Sequence, residues 1–237
     1  MTSARVYAHC GDSLPAGSRP YGLNAAEQGR EANQSNPLRR DSYRLSRLLW
    51  RTGARAFCHC TGLPEVATDA LPANGNPGVP GQDFHSSLSH CRGLQVAAFH
   101  RRAVGVDAEP VSRRAPWQQL AARWFTATEQ QWISEAGDPN GRFLLLWTLK
   151  EAWIKATQRG IASNLQALTL DPSSDGAALR VDRGGGDWRA FTTECNGIRV
   201  SVIGDGSDLP LWFEAPAPGS DDCRLQDREW REWIICN

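Results

Sequence analysis

Positive charge in this chain is almost never lysine: of 26 basic residues only Lys150 and Lys155 are lysines, and all the others are arginine. Nor is either sign in surplus, since Asp+Glu also number 26 and the formal net charge is zero. That excludes a strong whole-chain footprint for duplex nucleic acid or an anionic membrane, so neither is an expected partner, and any phosphate site must be local. Long apolar runs are missing too. The longest is Phe143–Trp147, against the ~20 residues that span a bilayer. The stretch Met1–Cys10 has no apolar core of signal-peptide length, and a cytoplasmic protein is expected. Seven cysteines, at 10, 58, 60, 91, 195, 223 and 236, form no C-x-x-C pair. They read as reduced thiols rather than a disulfide framework. Cys58-His59-Cys60 is too tightly spaced for the usual zinc pattern, and no second pair completes it.

What is present is an ordinary globular composition over 237 residues, enough for one large domain or two small ones. Such a length can bury a core without staples. Segments Asn36–Arg51 and Ala115–Phe125 read as helices; Leu45, Leu48 and Leu49 form an apolar stripe on the first, with Arg40, Arg44, Arg47 and Arg51 on another side. Residues 61–82, with four prolines and four glycines, read as a surface loop. Leu94–His100 and Ala103–Glu109, joined by Arg101-Arg102, predict a β-hairpin. Thr126 or Thr128 opens a helix to about Ala136, with Glu129 at capping-box distance from Thr126. The strongest helix runs from Arg142 to about Gln158, with Gly160 as terminator and Leu145, Leu149, Ala152, Trp153 and Ala156 as its core face. Trp188–Cys195, Ile198–Ile203 and Leu211–Ala215 predict an antiparallel meander, Ala215–Ser220 a linker, and Arg228–Ile235 a Trp-rich end packed back on the body. These elements predict an α+β fold.

Three segments carry groups capable of chemistry. In Gly105-Val106-Asp107-Ala108-Glu109, a period of two puts both carboxylates on one strand face roughly 6.5–7 Å apart. Such a pair calls for a cation, either a hard Mg²⁺ or the neighbouring arginines. In Trp147-Thr-Leu-Lys150-Glu151-Ala-Trp-Ile-Lys155, a third carboxylate stands one helical turn from a lysine. On a surface that is a common ion pair, but its aromatic company and the scarcity of lysine argue for partial burial and purpose. A compact ammonium is needed where a planar guanidinium cannot serve. Finally Ser87-Leu-Ser89-His90 offers hydroxyl and imidazole donors suited to an anion, without the G-x-S-x-G elbow of a hydrolase.

In this order, S-x-S-H, G-V-D-x-E, W-F-x-x-x-E (Trp124 to Glu129) and W-T-x-K-E-x-x-x-K, the motifs resemble the 4′-phosphopantetheinyl transferase superfamily in its longer, pseudo-dimeric surfactin type. The resemblance runs from about Leu23 to Ala215. It implies two similar subdomains, residues 1–111 and 112–237, related by a pseudo-twofold, each a small antiparallel sheet on a long helix, in a chain acting as a monomer. It implies transfer of 4′-phosphopantetheine from coenzyme A to a serine of an apo acyl or peptidyl carrier protein. Asp107, Glu109 and Glu151 would hold Mg²⁺, Glu151 or a water it orients would take the serine proton, and Lys155 would neutralise the departing α-phosphate. Ser89 and His90 would contact the 3′-phosphate or nearby parts of the nucleotide, Arg47 and Arg51 would be further phosphate candidates, and Glu129 would support the site. Two departures stand out. Gly62-Leu63-Pro64 replaces the family's G-K-P, so that contact is either missing or supplied by an arginine such as Arg55, and Gln158 stands where a glycine often ends the catalytic helix. The rival readings are a Mg²⁺-dependent phosphodiesterase, which would need a basic groove on nucleic acid, and a non-catalytic coenzyme A or carrier-protein binding module.

Overall fold

The computed structural model describes residues 3–11, 23–66, 83–158, 165–171, 178–182, 186–214 and 228–236. Among them lie α1 (Ala25–Ala32), α2 (Pro37–Thr61), α3 (Trp117–Trp124), α4 (Ala127–Ser134) and α5 (Pro139–Thr157). The strands are β1 (Arg5–Cys10), β2 (His85–Cys91), β3 (Leu94–His100), β4 (Val104–Pro110), β5 (Leu168–Leu170), β6 (Ala178–Val181), β7 (Trp188–Cys195), β8 (Ile198–Asp205), β9 (Leu211–Glu214) and β10 (Arg231–Cys236). They form a four-stranded sheet, β2-β3-β1-β9, and a six-stranded sheet, β4-β8-β7-β10-β6-β5. The fold is α+β, as expected.

Side-chain alternation decides the layering. In the four-stranded sheet Val6, Ala8, Leu94, Val96 and Ala98 face one core, shared with Val104, Val106, Ala108, Val200 and Val202 of the other sheet. The alternate residues Tyr7, Ala97 and Phe99 face α2, against Leu49, Trp50 and Phe57. The six-stranded sheet carries α5 on its far side, where Leu149, Ala152 and Trp153 pack with Ala190, Ile203 and Trp233. The order is helix, sheet, sheet, helix.

Three expectations are corrected. β3 and β4 do not form a hairpin: β3 is already flanked by β2 and β1, so beyond Arg101-Arg102 the chain crosses to the other sheet, where β4 pairs with β8. β7 and β8 pair as expected, but β9 does not extend that meander. β8 already has β4 on its other edge, and β9 instead joins β1 in parallel, with Leu211 N–H donating to the Ala4 carbonyl. Each sheet is therefore mixed, the second parallel pair being β10 with β6. The Trp-rich end does pack back: β10 enters between β7 and β6, and the buried Trp233 donates to Thr192 Oγ1.

Helix limits differ for local reasons. α2 continues ten residues past Arg51, because Gly53 is a packing glycine and not a break: a Cβ there would sit 2.7 Å from the Phe99 ring. It stops at Gly62 in the left-handed conformation. α5 begins three residues before Arg142, with Pro139 in its first turn and the Asp138 side chain capping Gly141 N–H. It ends on Gln158 itself at φ 54°; Gly160, the linker at 215–220, Cys223 and most of the 61–82 loop lie outside the described residues. Phe143, Leu144 and Leu146 are also buried while Leu145 is half-buried, so α5 is enclosed almost all round and has no single core face. No helix among the described residues is long and apolar enough to cross a membrane.

Candidate active site

The site forms where β4 lies along α5. Val106 and Ala108 of β4 point into the inter-sheet core, so Gly105, Asp107 and Glu109 face the helix. Gly105 is what lets the two touch: a Cβ there would lie 1.9 Å from the Ala152 carbonyl oxygen and 2.5 Å from Ala156 N. The residues preceding those two alanines are Glu151 and Lys155, and this close approach delivers them to the carboxylates of β4. Thr148 adds a buried link to β8, its Oγ1 2.7 Å from Ser201 Oγ.

Lys155 Nζ donates to Asp107 Oδ1 at 2.8 Å and to the Val106 carbonyl at 3.1 Å. Its carboxylate partner is thus across the cleft and not Glu151, one turn back on its own helix. Glu109 pairs with Arg113. Burial pushes the Glu109 carboxyl above its ordinary range; Arg113 opposes this and the Asp107 charge adds to it. Burial likewise raises Glu151, with Asp107 next and Glu109 also contributing, against Lys155. His90, on the rim, is pushed down first by desolvation and then by the Lys155 ammonium, with Asp107 pulling the other way. Asp107 and Lys155 thus act on Glu109, Glu151 and His90 alike.

All three acidic donors are hard oxygens, and Glu109 and Glu151 are held above their ordinary range first by burial and also by the Asp107 charge, a like-charge repulsion that a divalent cation relieves. No three His, Cys, Asp or Glu side chains among the described residues are grouped so that they could hold a metal ion, and Lys155 lies on Asp107 and Arg113 on Glu109. The donor chemistry fits a hard cation that would displace these internal counter-charges.

Ser89 is buried, and its hydroxyl meets Asp107 at 2.9 Å. Arg47 and Arg51 are not brought to this cluster. Both are buried on α2 and pair with Glu27 of α1. The Asn- and Gln-rich composition around Glu27 gave no apolar stripe by which to find α1, although Asn24 and Glu27 form a capping box. Arg55 lies exposed on α2, paired with Glu65. Cys58 is buried while His59 and Cys60 are exposed on the last turn of the same helix. Glu129 is fully buried against Lys150 Nζ at 2.9 Å, and also accepts from Leu170 N–H and from Thr126 N–H.

Residues 103–203 match the family model of the 4′-phosphopantetheinyl transferase superfamily. The 4′-phosphopantetheinyl transferase psf-1 of Bacillus pumilus is 36% identical over 108 residues, 44% of this chain and 46% of that protein. The 4′-phosphopantetheinyl transferase Sfp of Bacillus subtilis strain 168 is 28% identical over 108 residues, 43% of this chain and 46% of Sfp. The chain thus spans just under half the length of these curated relatives. A solved structure, the holo-[acyl-carrier-protein] synthase of Thermotoga maritima, aligns over 45% of this chain and 64% of its own at 19% identity and a TM-score of 0.37. The segment that carries Asp107, Glu109, Glu151 and Lys155 is therefore similar to the 4′-phosphopantetheinyl transferase superfamily and to the relatives psf-1 and Sfp.

Proposed function

We propose that the chain is an enzyme that transfers the 4′-phosphopantetheine arm of coenzyme A to a serine hydroxyl of an apo acyl or peptidyl carrier protein, releasing adenosine 3′,5′-bisphosphate. The observation that carries the reading is the meeting of three carboxylates and one lysine at the β4–α5 contact, inside the segment that matches the family. Asp107, Glu109 and Glu151 would hold Mg²⁺, which when bound supplies charge neutralisation at the pyrophosphate oxygens.

The remaining work falls to the side chains. No hydrogen bond or ion pair engages the Glu151 side chain among the described residues, and burial raises its carboxyl, which suits it to accept a proton. Glu151, directly or through a water, takes the serine proton as the serine oxygen bonds to the β-phosphorus and the bond from that phosphorus to the bridging oxygen breaks. The leaving α-phosphate gains negative charge as it departs. Lys155, a compact ammonium on a flexible stem, turns from Asp107 to that oxygen. His90 on the rim is the candidate donor to the 3′-phosphate. Arg47 and Arg51 already share a carboxylate, and act on phosphate only if they release Glu27. Residues 1–111 supply Asp107 and Glu109 and residues 112–237 supply Glu151 and Lys155, so one chain completes the cleft and works as a monomer.

The test is to incubate the protein with Mg²⁺, coenzyme A and a panel of apo carrier proteins, and to follow each carrier by intact mass. Gain of one phosphopantetheine, lost with EDTA, is the expected result. A carrier panel left unmodified despite coenzyme A binding supports a binding module, and hydrolysis of coenzyme A without transfer supports a phosphodiesterase; either overturns the proposal.

A further inference from the structure

The S-x-S-H segment has an unexpected position. β2 is the edge strand of one sheet and β4 the edge strand of the other, and they are not hydrogen-bonded as strands. Two serine hydroxyls join them instead. Ser87 Oγ accepts Val106 N–H at 3.0 Å and Ser89 Oγ accepts Ala108 N–H at 3.2 Å. Between them, Ser86 and Leu88 face the other way, Ser86 accepting from Trp50 Nε1 of α2 at 2.8 Å. The hydroxyls satisfy the outward N–H groups of β4 in place of a missing neighbouring strand.

Ser89 does one thing that Ser87 does not: it donates its only proton to Asp107 Oδ1, at 2.9 Å. The residue is 6% exposed. To donate to a phosphate it would have to abandon a buried carboxylate. We infer that Ser89 is a positioning residue that aims Asp107 into the β4–α5 cleft, rather than a contact to phosphate. The inference rests on the reading of Asp107 as a cation ligand. Asp107 is held from two sides, by a neutral hydroxyl from β2 and by the Lys155 ammonium. A divalent cation repels the ammonium but not the hydroxyl, so Lys155 is the partner that leaves and Ser89 the one that stays. Groups that orient a metal's ligands typically change affinity about 10–100-fold when lost.

The test uses Mn²⁺ as a paramagnetic stand-in for Mg²⁺, titrated into the whole protein without coenzyme A and read by electron paramagnetic resonance. Ser89→Ala is expected to weaken Mn²⁺ about tenfold or more. Ser87→Ala, which removes the same kind of inter-strand bond, is expected to lower the thermal midpoint comparably yet leave Mn²⁺ affinity within about twofold. Binding of coenzyme A against its 3′-dephospho form, in EDTA, gives the second readout: Ser89→Ala is expected to leave their affinity ratio unchanged. Should Ser89→Ala fail to fold, the near-isosteric Ser89→Cys, a weak donor, must show the same loss of Mn²⁺. Unchanged Mn²⁺ binding in the Ser89 variant, or a collapsed coenzyme ratio, overturns the inference alone. A wild-type protein that binds no Mn²⁺ overturns the cation reading and this inference with it.

Discussion

Replacing Lys150 by methionine removes the most deeply buried positive charge among the described residues. Its ammonium has three N–H donors and three acceptors: Glu129 Oε1 at 2.9 Å, the Leu165 carbonyl at 2.7 Å and the Leu168 carbonyl at 2.5 Å, with the Phe125 ring centroid 4.9 Å away. Both Lys150 and Glu129 are at most 1% exposed. Burial pulls the Lys150 pKa down and the Glu129 charge holds it up. Methionine fills similar space but leaves a buried carboxylate without its counter-charge and two carbonyls without a donor. Breaking a buried pair from one side costs about 3–5 kcal/mol. For a chain of this size that lowers the thermal midpoint by roughly 6–20 °C.

The double variant Glu129→Gln/Lys150→Met removes the stranded charge and is expected to recover at least about 2 kcal/mol relative to the single. Lys150→Arg keeps the charge but presents a planar fork in place of three divergent donors, and should fall short of wild type. Urea denaturation of all four proteins measures these differences. A loss below about 1 kcal/mol in Lys150→Met, or a double variant no more stable than the single, refutes the reasoning.

Gln158 closes α5 in a left-handed conformation at φ 54°, where glycine fits without strain; Gln158→Gly should raise stability by about 0.5–1 kcal/mol in urea melts, and a drop would show that its side chain is needed there. Gly105→Ala forces a methyl into the Ala152 carbonyl, so α5 must retreat from β4; a loss of about 2 kcal/mol or more, with transfer activity falling further than stability explains, is the expected outcome of melts and carrier-mass assays. Glu151→Gln should abolish transfer while raising the melting midpoint of the metal-free protein at pH 7.5. A carboxyl with a folded pKa above its ordinary 4.5 destabilises as pH rises through that interval, so the gain should vanish below about pH 4.5, where the wild-type side chain is neutral in both states. Equal midpoints at pH 7.5 in EDTA would count against the burial of that charge.

The chemistry was more legible in the sequence than the topology. Asp107 and Glu109 at a spacing of two, and Glu151 and Lys155 at a spacing of four, fixed which side chains share a face of a strand or a helix, because those periods are local. The capping box at Thr126 and Glu129 was legible for the same reason. Strand partnership is not local. That β3 is saturated by β1 and β2, which sends β4 to the other sheet, depends on a strand far back in the chain, Cys10 standing opposite Leu94 across 84 positions, and nothing near Arg101 records it. Arg47 and Arg51 were misleading for a related reason: a repeated arginine on a helix looks like a phosphate surface until Glu27, lodged in a polar segment with no apolar stripe, is found beneath it. The serines of β2 were legible as donors, but their service to the β4 backbone needed the structure.

The exchange of strands gives the cleft its access. Asp107 meets Ser89 of β2 because β4 is an edge strand. Had β4 paired with β3 as a hairpin, the outward groups of Val106 and Ala108 would be spent in a ladder, and β3 would wall off the side from which Lys155 now reaches the Val106 carbonyl. An open edge is ordinarily a liability, since its free N–H groups invite pairing with another chain. Here Ser87 and Ser89 close those N–H groups with side chains instead of a strand, and a side chain occupies less room than a strand does. The edge is thereby satisfied at these donors while Lys155 covers the Val106 carbonyl. On the function proposed above this is the pair that would part, since Lys155 is a half-buried ammonium on a flexible stem.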